Sequence, residues 1–363
     1  MNLNGWHVAI RVDASIQIGT GHFMRCLTLA EALKQYGAQV CFVSYELQEY
    51  LCDLLNEKSI GLISLLHEER HGLIMNDLTH SHWLDTSQLD DATESIQALS
   101  DRAWDLLVVD HYSLDVIWET QLRKVAKRIM VVDDIADRQH NCDILLDQNY
   151  FSTMAFRYKD KVPKGCALLL GPDYALVRKE FRSLHKQVKI RTEPLKRILV
   201  FFGGIDALNY TECTIEVLTT IPIEGLHVDV VIGEQHPCRE QIELACADNK
   251  FHCYVQTEEI AELMALADLS IGAGGSATWE RCCLGLPSLI VSLADNQNEI
   301  AKAVDSLGAA LYLGSHKIAN AAYIQKAIIE LANNKEHLRA LSETAYSIVD
   351  GLGSDRLCEV LAL

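Results

Sequence analysis

Short apolar runs, each followed by a stretch of helix length, recur along the chain and constrain the fold more than any other feature. In the first half they are HVAIRV (7–12), QVCFVS (39–44), WDLLVVD (104–110) and RIMVVDD (128–134). In the second they are RILVFFGG (197–204), HVDVVIG (227–233), DLSIGAGG (268–275) and PSLIVSL (287–293). Runs that do not alternate with polar residues read as strands buried on both faces. The segments near 21–36, 87–100 and 114–126 read as helices between them. Strand, helix, strand repeated in this way predicts an α/β protein with parallel sheets covered by helices.

The alternation breaks once, at the polar and basic stretch SLHKQVKIRTEPLK (183–196), and then restarts. The predicted organisation is a first domain over 1–185, a second over 186–345 and a helical tail over 346–363. Glycines at 351 and 353 let that tail cross back to the first domain. A length of 363 residues, 49% hydrophobic content and only six prolines suit two globular cores. Two such halves facing each other would bring the loops at their strand C-termini into one cleft.

Lys plus Arg is 32 and Asp plus Glu is 50, a net charge of −18. Such a surface repels nucleic acid and anionic membranes, so neither is expected as a partner. An anionic ligand must then be held by local features such as helix starts and a few arginines. Twelve cysteines without a CxxC pair, an N-terminus without a basic and apolar leader, and no long apolar span predict a reduced, cytoplasmic protein.

Four strand ends carry unusual loops. The first, Ile18-Gly19-Thr20-Gly21-His22, places a histidine at the start of a helix, where it is either an exposed polar residue or a general base. The positive end of the helix disfavours the imidazolium there, which suits a base. The second holds Asp110, His111 and Tyr112, and the third Gly203, Gly204, Asp206, Asn209 and Thr211. In the fourth, Gly272, Gly274 and Gly275 precede Ser276. Glycines let backbone approach an anion closely, though a tight turn uses them equally well. Ser276 can cap the following helix or donate to a phosphate oxygen. Glu280, one turn on, can accept from ribose hydroxyls. Asp295, Asn296 and Gln297 after the next strand either cap a helix or read sugar hydroxyls and N-acetyl groups. His80-x-His82 lacks a third ligand at metal spacing, so no metal is expected. Asp133, Asp134 and Arg138 read as architectural, with a substrate role open.

Together these residues resemble one family. The pattern RxDxSxxIGxGHxxRxxxLA falls on Arg11, Asp13, Ser15, Gly19, Gly21, His22, Arg25, Leu29 and Ala30. DHY, VDDIADRQHNCDILLDQNY, LLGPDYALVRKEF, GGIDALN and GAGGSATWERCCLGLPSLIVSLADNQ follow in order. The chain is similar, over nearly its whole length, to the UDP-2,4-diacetamido-2,4,6-trideoxy-β-L-altropyranose hydrolases of pseudaminic acid biosynthesis. Its second-half loops are similar to those of the lipid-linked N-acetylglucosaminyltransferase of peptidoglycan synthesis. The resemblance implies a GT-B fold, two Rossmann-like domains facing a cleft, with a UDP-sugar held mainly by the second.

It further implies His22 as the catalytic base and Tyr112 as a second catalytic residue in the cleft. Arg11, Asp13, Gly19, Gly21 and Arg25 are implied on the substrate, as are Gly203, Gly204 and Asp206. The diphosphate loop falls on Gly274, Gly275, Ser276 and Ala277, the ribose position on Glu280, and the sugar-reading position on Asn296 and Gln297. Ile205 departs from the small residue often found after the second glycine of the third loop. The implied reaction is hydrolysis at the anomeric carbon with inversion, releasing UDP and the free sugar, with no cofactor and no metal. A glycosyltransferase using the same base on an acceptor hydroxyl and a non-catalytic nucleotide-sugar sensor stand as rivals.

Overall fold

Successive residues of a strand point to opposite faces, and a strand apolar at every position therefore feeds two cores at once. The computed structural model describes residues 2–15, 17–45, 47–65 and 78–363 and builds its sheets in this way. The chain divides into two compact units, residues 1–176 with 353–363, and residues 177–352.

The first unit holds β1 (His7–Val12), β2 (Gln39–Ser44), β3 (Gly61–Ser64), β4 (Trp104–Asp110), β5 (Ala126–Val132), β6 (Ile144–Asp147) and β7 (Ala167–Leu170). They form a parallel seven-stranded sheet in the order β3-β2-β1-β4-β5-β6-β7. Val8 and Ile10 of β1, Leu106 and Val108 of β4, and Met130 and Val132 of β5 enter one core. Their neighbours Ala9, Leu107, Val109, Ile129 and Val131 enter the other. Each of these side chains is at most 1% exposed, and each large one stabilises the fold by roughly 2 kcal/mol through burial alone.

The second unit holds β8 (Arg197–Phe201), β9 (His227–Ile232), β10 (His252–Val255), β11 (Leu269–Ala273), β12 (Ser288–Ser292) and β13 (Leu311–Ser315). These pair in the order β10-β9-β8-β11-β12-β13, again in parallel. Ile198, Val200, Val230, Leu269, Ile271 and Leu289 form the centre of its core.

In each sheet the strand order reverses at one place, between β1 and β4 and between β8 and β11. The loops leaving the C-terminal ends of such a strand pair diverge and leave room for a ligand. The loops after β1 and β4 carry His22 and Asp110–Tyr112, and those after β8 and β11 carry Gly203–Asp206 and Gly274–Ser276. All four singled out by the sequence thus lie at a switch point.

Two boundaries differ from the sequence reading. The division falls at 176/177, not 185/186, because the helix Lys179–His185 packs on the helices Ile260–Leu266 and Ala277–Cys283. The stretch 183–196 is no linker. Within it Arg191 is buried and donates to the carbonyls of Met264, Ala265, Ala267 and Leu284. The return to the first unit begins at 353, not 346, since the helix Lys335–Ile348 stays with the second unit. There the helix Gly353–Leu361 packs on the helix Gly21–Gln35. A Cβ on Gly353 would stand 2.3 Å from the carbonyl oxygen of Ala175, so only glycine allows that approach. Among the described residues no helix is long and apolar enough to cross a membrane.

Candidate active site

The helix Gly21–Gln35 begins directly after the glycine turn, in which Gly19 adopts φ +76° and donates to the Ser15 carbonyl at 2.7 Å. His22 therefore sits in the first helical turn, facing the end of β4. Its Nδ1 lies 2.6 Å from Oδ1 of Asp110, the last residue of that strand. Arg25, one turn along the helix, grips the same carboxylate with Nε on Oδ2 at 2.6 Å and Nη2 on Oδ1 at 2.7 Å. Burial alone would raise the Asp110 carboxyl, but Arg25 and His22 outweigh it and hold the group well below the usual carboxylate range. An ionised carboxylate only accepts, so the 2.6 Å contact puts the ring proton on Nδ1. The 3.1 Å approach of Arg25 Nη2 to Nδ1 then sets two donors side by side, both directed at Asp110. Nε2 makes no hydrogen bond to a described residue. The orientation of the ring is fixed by Asp110, where the sequence offered only the helix start.

Three further side chains of the opening motif, Arg11, Asp13 and Arg25, are buried and bonded within the protein. Arg11 is fully buried, donating to Asp13 at 2.5 Å and to Asp91 at 2.8 Å. Asp13 also accepts from Ser44 Oγ at 2.9 Å and from the Tyr45 N–H at 3.0 Å, with His111 Nε2 3.3 Å away. Arg25 is saturated by Asp110 and Asp134. These three side chains, expected on the substrate, are an internal ion-pair lattice. Tyr112, expected to face the ligand, is 2% exposed and its hydroxyl donates to Asp134 at 2.6 Å. Its ring stands edge-on to His22 at 4.7 Å.

Sequence reasoning missed Trp83, in the short turn Ser81–Trp83. Its ring is half-buried, stacks on Tyr112 at 5.2 Å and meets His22 edge-on at 5.6 Å. The neighbouring histidines had drawn attention to a metal, whereas His80 packs its ring against Trp83 at 4.7 Å. Asp133 does hold architecture, accepting from Arg138 at 3.0 Å.

In the second unit the loops are less committed. Gly203 (φ +98°) and Gly204 both leave the space where a Cβ would stand empty, and Ile205 beside them is half-exposed. Asp206, expected on the substrate, instead accepts from the N–H of Thr211 at 2.8 Å and its hydroxyl at 2.7 Å, fastening the start of the helix Tyr210–Thr219. Gly274 is a packing glycine: a Cβ there would press on the Gln297 carbonyl and Ile290 at 3.2 Å. Gly275 has only the Gln297 amide, 4.0 Å away, near its Cβ position. Ser276 precedes the helix Ala277–Cys283 but makes no capping bond, so its hydroxyl is uncommitted. The N–H groups opening that helix, Ala277's among them, have no carbonyl within it to bond. Glu280 gives one oxygen to Arg178 Nε at 2.8 Å. Gln297 accepts from the Leu293 N–H at 2.9 Å through its carbonyl, leaving its amide hydrogens, and Asn296 makes no side-chain bond to a described residue. Neither Asn296 nor Asp295 caps a helix.

Comparison with known proteins finds similar chains. Residues 197–351 match the glycosyltransferase family 28 C-terminal domain. The chain is 23% identical to the spore coat polysaccharide biosynthesis protein SpsG of Bacillus subtilis, over 98% of this chain and 97% of that protein. It is 26% identical to the UDP-2,4-diacetamido-2,4,6-trideoxy-β-L-altropyranose hydrolase of Campylobacter jejuni, over 81% of this chain and 94% of that one. Its structure resembles that of MurG from Acinetobacter baumannii with a TM-score of 0.66 at 16% identity, covering 98% of this chain and 99% of MurG. The chain therefore has the GT-B fold, matches the glycosyltransferase family 28 C-terminal domain over its second unit, and is similar at low identity to the diacetamido-trideoxy-altropyranose hydrolase.

Proposed function

We propose that the protein hydrolyses a UDP-linked 2,4-diacetamido-2,4,6-trideoxyhexose at the anomeric carbon, with inversion. The observation that carries this reading is the Asp110–His22 pair, with the proton on Nδ1 and Nε2 left to accept. Nε2 takes a proton from water as the water oxygen bonds to the anomeric carbon. The bond from that carbon to the diphosphate oxygen breaks, and UDP leaves with the electron pair. Asp110 stabilises the imidazolium that forms, as a buried carboxylate does for any histidine base it orients. Ordinary inverting glycosidases need a general acid for a poor leaving group. UDP already leaves well, so its growing charge needs stabilisation by N–H groups and not a proton. Gly275, Ser276 and Ala277 supply those donors, Glu280 the ribose contact, and Asn296 with the Gln297 amide the contacts to acetamido groups. No step calls for a metal or a cofactor, and the small-molecule UDP-sugar is the partner.

His22→Asn should lower turnover by about 10²–10⁴-fold and leave UDP affinity within about twofold. UDP release followed on a panel of UDP-diacetamido sugars, with the product anomer read by NMR, tests both parts. Near-normal turnover in the variant would remove His22 from the chemistry. A second reading, transfer to an acceptor hydroxyl, draws on the family 28 match over 197–351. It predicts no UDP release until an acceptor is added.

A further inference from the structure

The second unit contains two buried arginines, and they differ in one respect. Arg191 spreads its guanidinium over main-chain carbonyls at the end of the helix Ile260–Leu266. Arg281, in the helix Ala277–Cys283, is 1% exposed and donates only through Nη2, to the Ala273 carbonyl at 2.7 Å and Thr278 Oγ1 at 3.0 Å. Its Nε and Nη1 are buried and find no hydrogen-bond partner among the described residues. No carboxylate forms an ion pair with it among the described residues: the neighbouring Glu280, whose charge reaches it, is bonded to Arg178 at 2.8 Å. Burial pushes the guanidinium down to about 10, which leaves it charged at neutral pH.

An isolated charge in the interior is costly, and proteins that retain one have a use for it. The guanidinium lies against the backbone of the fourth loop: a Cβ on Gly272 would stand 2.9 Å from Nη1. Gly272 pairs with Phe201, the last residue of β8, so the charge sits where β8 and β11 end and both glycine loops begin. In a chain of net charge −18, it is a local source of positive potential beside the N–H groups that open the helix Ala277–Cys283.

We infer that Arg281 is a positioning residue for the leaving diphosphate: a buried counter-charge that fixes the Gly272–Ala273 backbone and raises the affinity of the loop for the anion without touching it. This rests on the nucleotide-sugar reading above and adds to it the group that supplies the charge. The protein accepts a loss of stability to keep it.

The test compares UDP with uridine, which differ by the diphosphate, in calorimetric titrations of the full chain, alongside thermal melting. Arg281→Gln keeps a donor for Ala273 and removes the charge. It should weaken UDP about tenfold, change uridine binding less than twofold, and melt at the wild-type temperature or above. Arg281→Lys, which keeps the charge, should hold UDP affinity within about threefold and stands in should the glutamine variant not fold. Equal weakening of UDP and uridine, or UDP affinity unchanged in the glutamine variant, would overturn the role of Arg281 alone. So would a lysine variant that binds uridine normally but loses UDP tenfold. A wild-type protein that binds neither ligand would overturn the nucleotide reading itself, and this proposal with it.

Discussion

The loops around His22 and those around Ser276 stand at equivalent places in two similar sheets, yet their electrostatics are opposite. Around His22 every ion is paired: Arg11 with Asp13 and Asp91, Arg25 with Asp110 and Asp134, and Arg138 with Asp133. Beside these pairs His22 keeps its Nε2 without a hydrogen bond to a described residue, while the other unpartnered atoms there, Arg11 Nε, His80 Nδ1 and His111 Nε2, are buried. Around Ser276 the reverse holds, with a serine that makes no capping bond, an unbonded Asn296 and a buried arginine whose Nε and Nη1 have no hydrogen-bond partner. A saturated network fixes the position and tautomer of one reactive atom, which is what a general base needs. An unsaturated set waits for a ligand to complete it, which is what a binding loop needs.

The sharpest way to break this contrast is to open the saturated side. Asp110→Asn can donate to Nδ1, which moves the ring proton to Nε2 and turns the proposed base into a donor. Turnover should fall about 10³-fold with KM changed less than about threefold, measured by steady-state UDP release. A raised KM with normal turnover would place Asp110 in ligand binding and dissolve the distinction between the two loop sets. On the open side the expected effect is smaller and falls on the other constant. Glu280→Ala removes an acceptor with an oxygen to spare, and should raise KM about tenfold while turnover changes less than threefold. An unchanged KM would strike Glu280 from the ligand contacts.

The same contrast explains what the sequence disclosed. The long strands were legible because burial on both faces leaves an unbroken apolar run. β3, β6, β7 and β10, of four residues each, carry too few positions to show a pattern, and β13 is only half-buried along its length, so no buried apolar run marks it. Loops at the switch points were legible because glycines and polar residues interrupt apolar runs there. The motif spacing showed that Arg11, Asp13, His22 and Arg25 work together, but not which way they face. Their partners Asp91 and Asp134 lie 80 and 109 residues away, brought in by the order of strands in the sheet. The bonds of Asp206 to Thr211 were hidden for a related reason, since a carboxylate at a strand end serves an N–H group of its own chain as readily as a ligand. Arg281 gave no signal at all, because an arginine in a helix reads as a solvated charge until its burial is known.

Tyr112 separates a ring that supports the base from a hydroxyl that does chemistry. Burial and the nearby Asp134 push its phenol well above its ordinary range, so it can neither lose its proton near neutral pH nor reach a substrate while it donates to Asp134. Tyr112→Phe keeps the stack on Trp83 and the edge contact to His22, and leaves Asp134 bonded to Arg25 and Asn149. Turnover should therefore change by less than about threefold, with a loss of about 1 kcal/mol in unfolding free energy from the missing hydrogen bond. Tyr112→Ala removes the ring as well, and should cost activity beyond what the stability loss explains, because His22 loses the surface that fixes its plane. A phenylalanine variant slowed a hundredfold at unchanged stability would restore the hydroxyl to the chemistry and give the side around His22 two reactive groups where the proposed mechanism uses one.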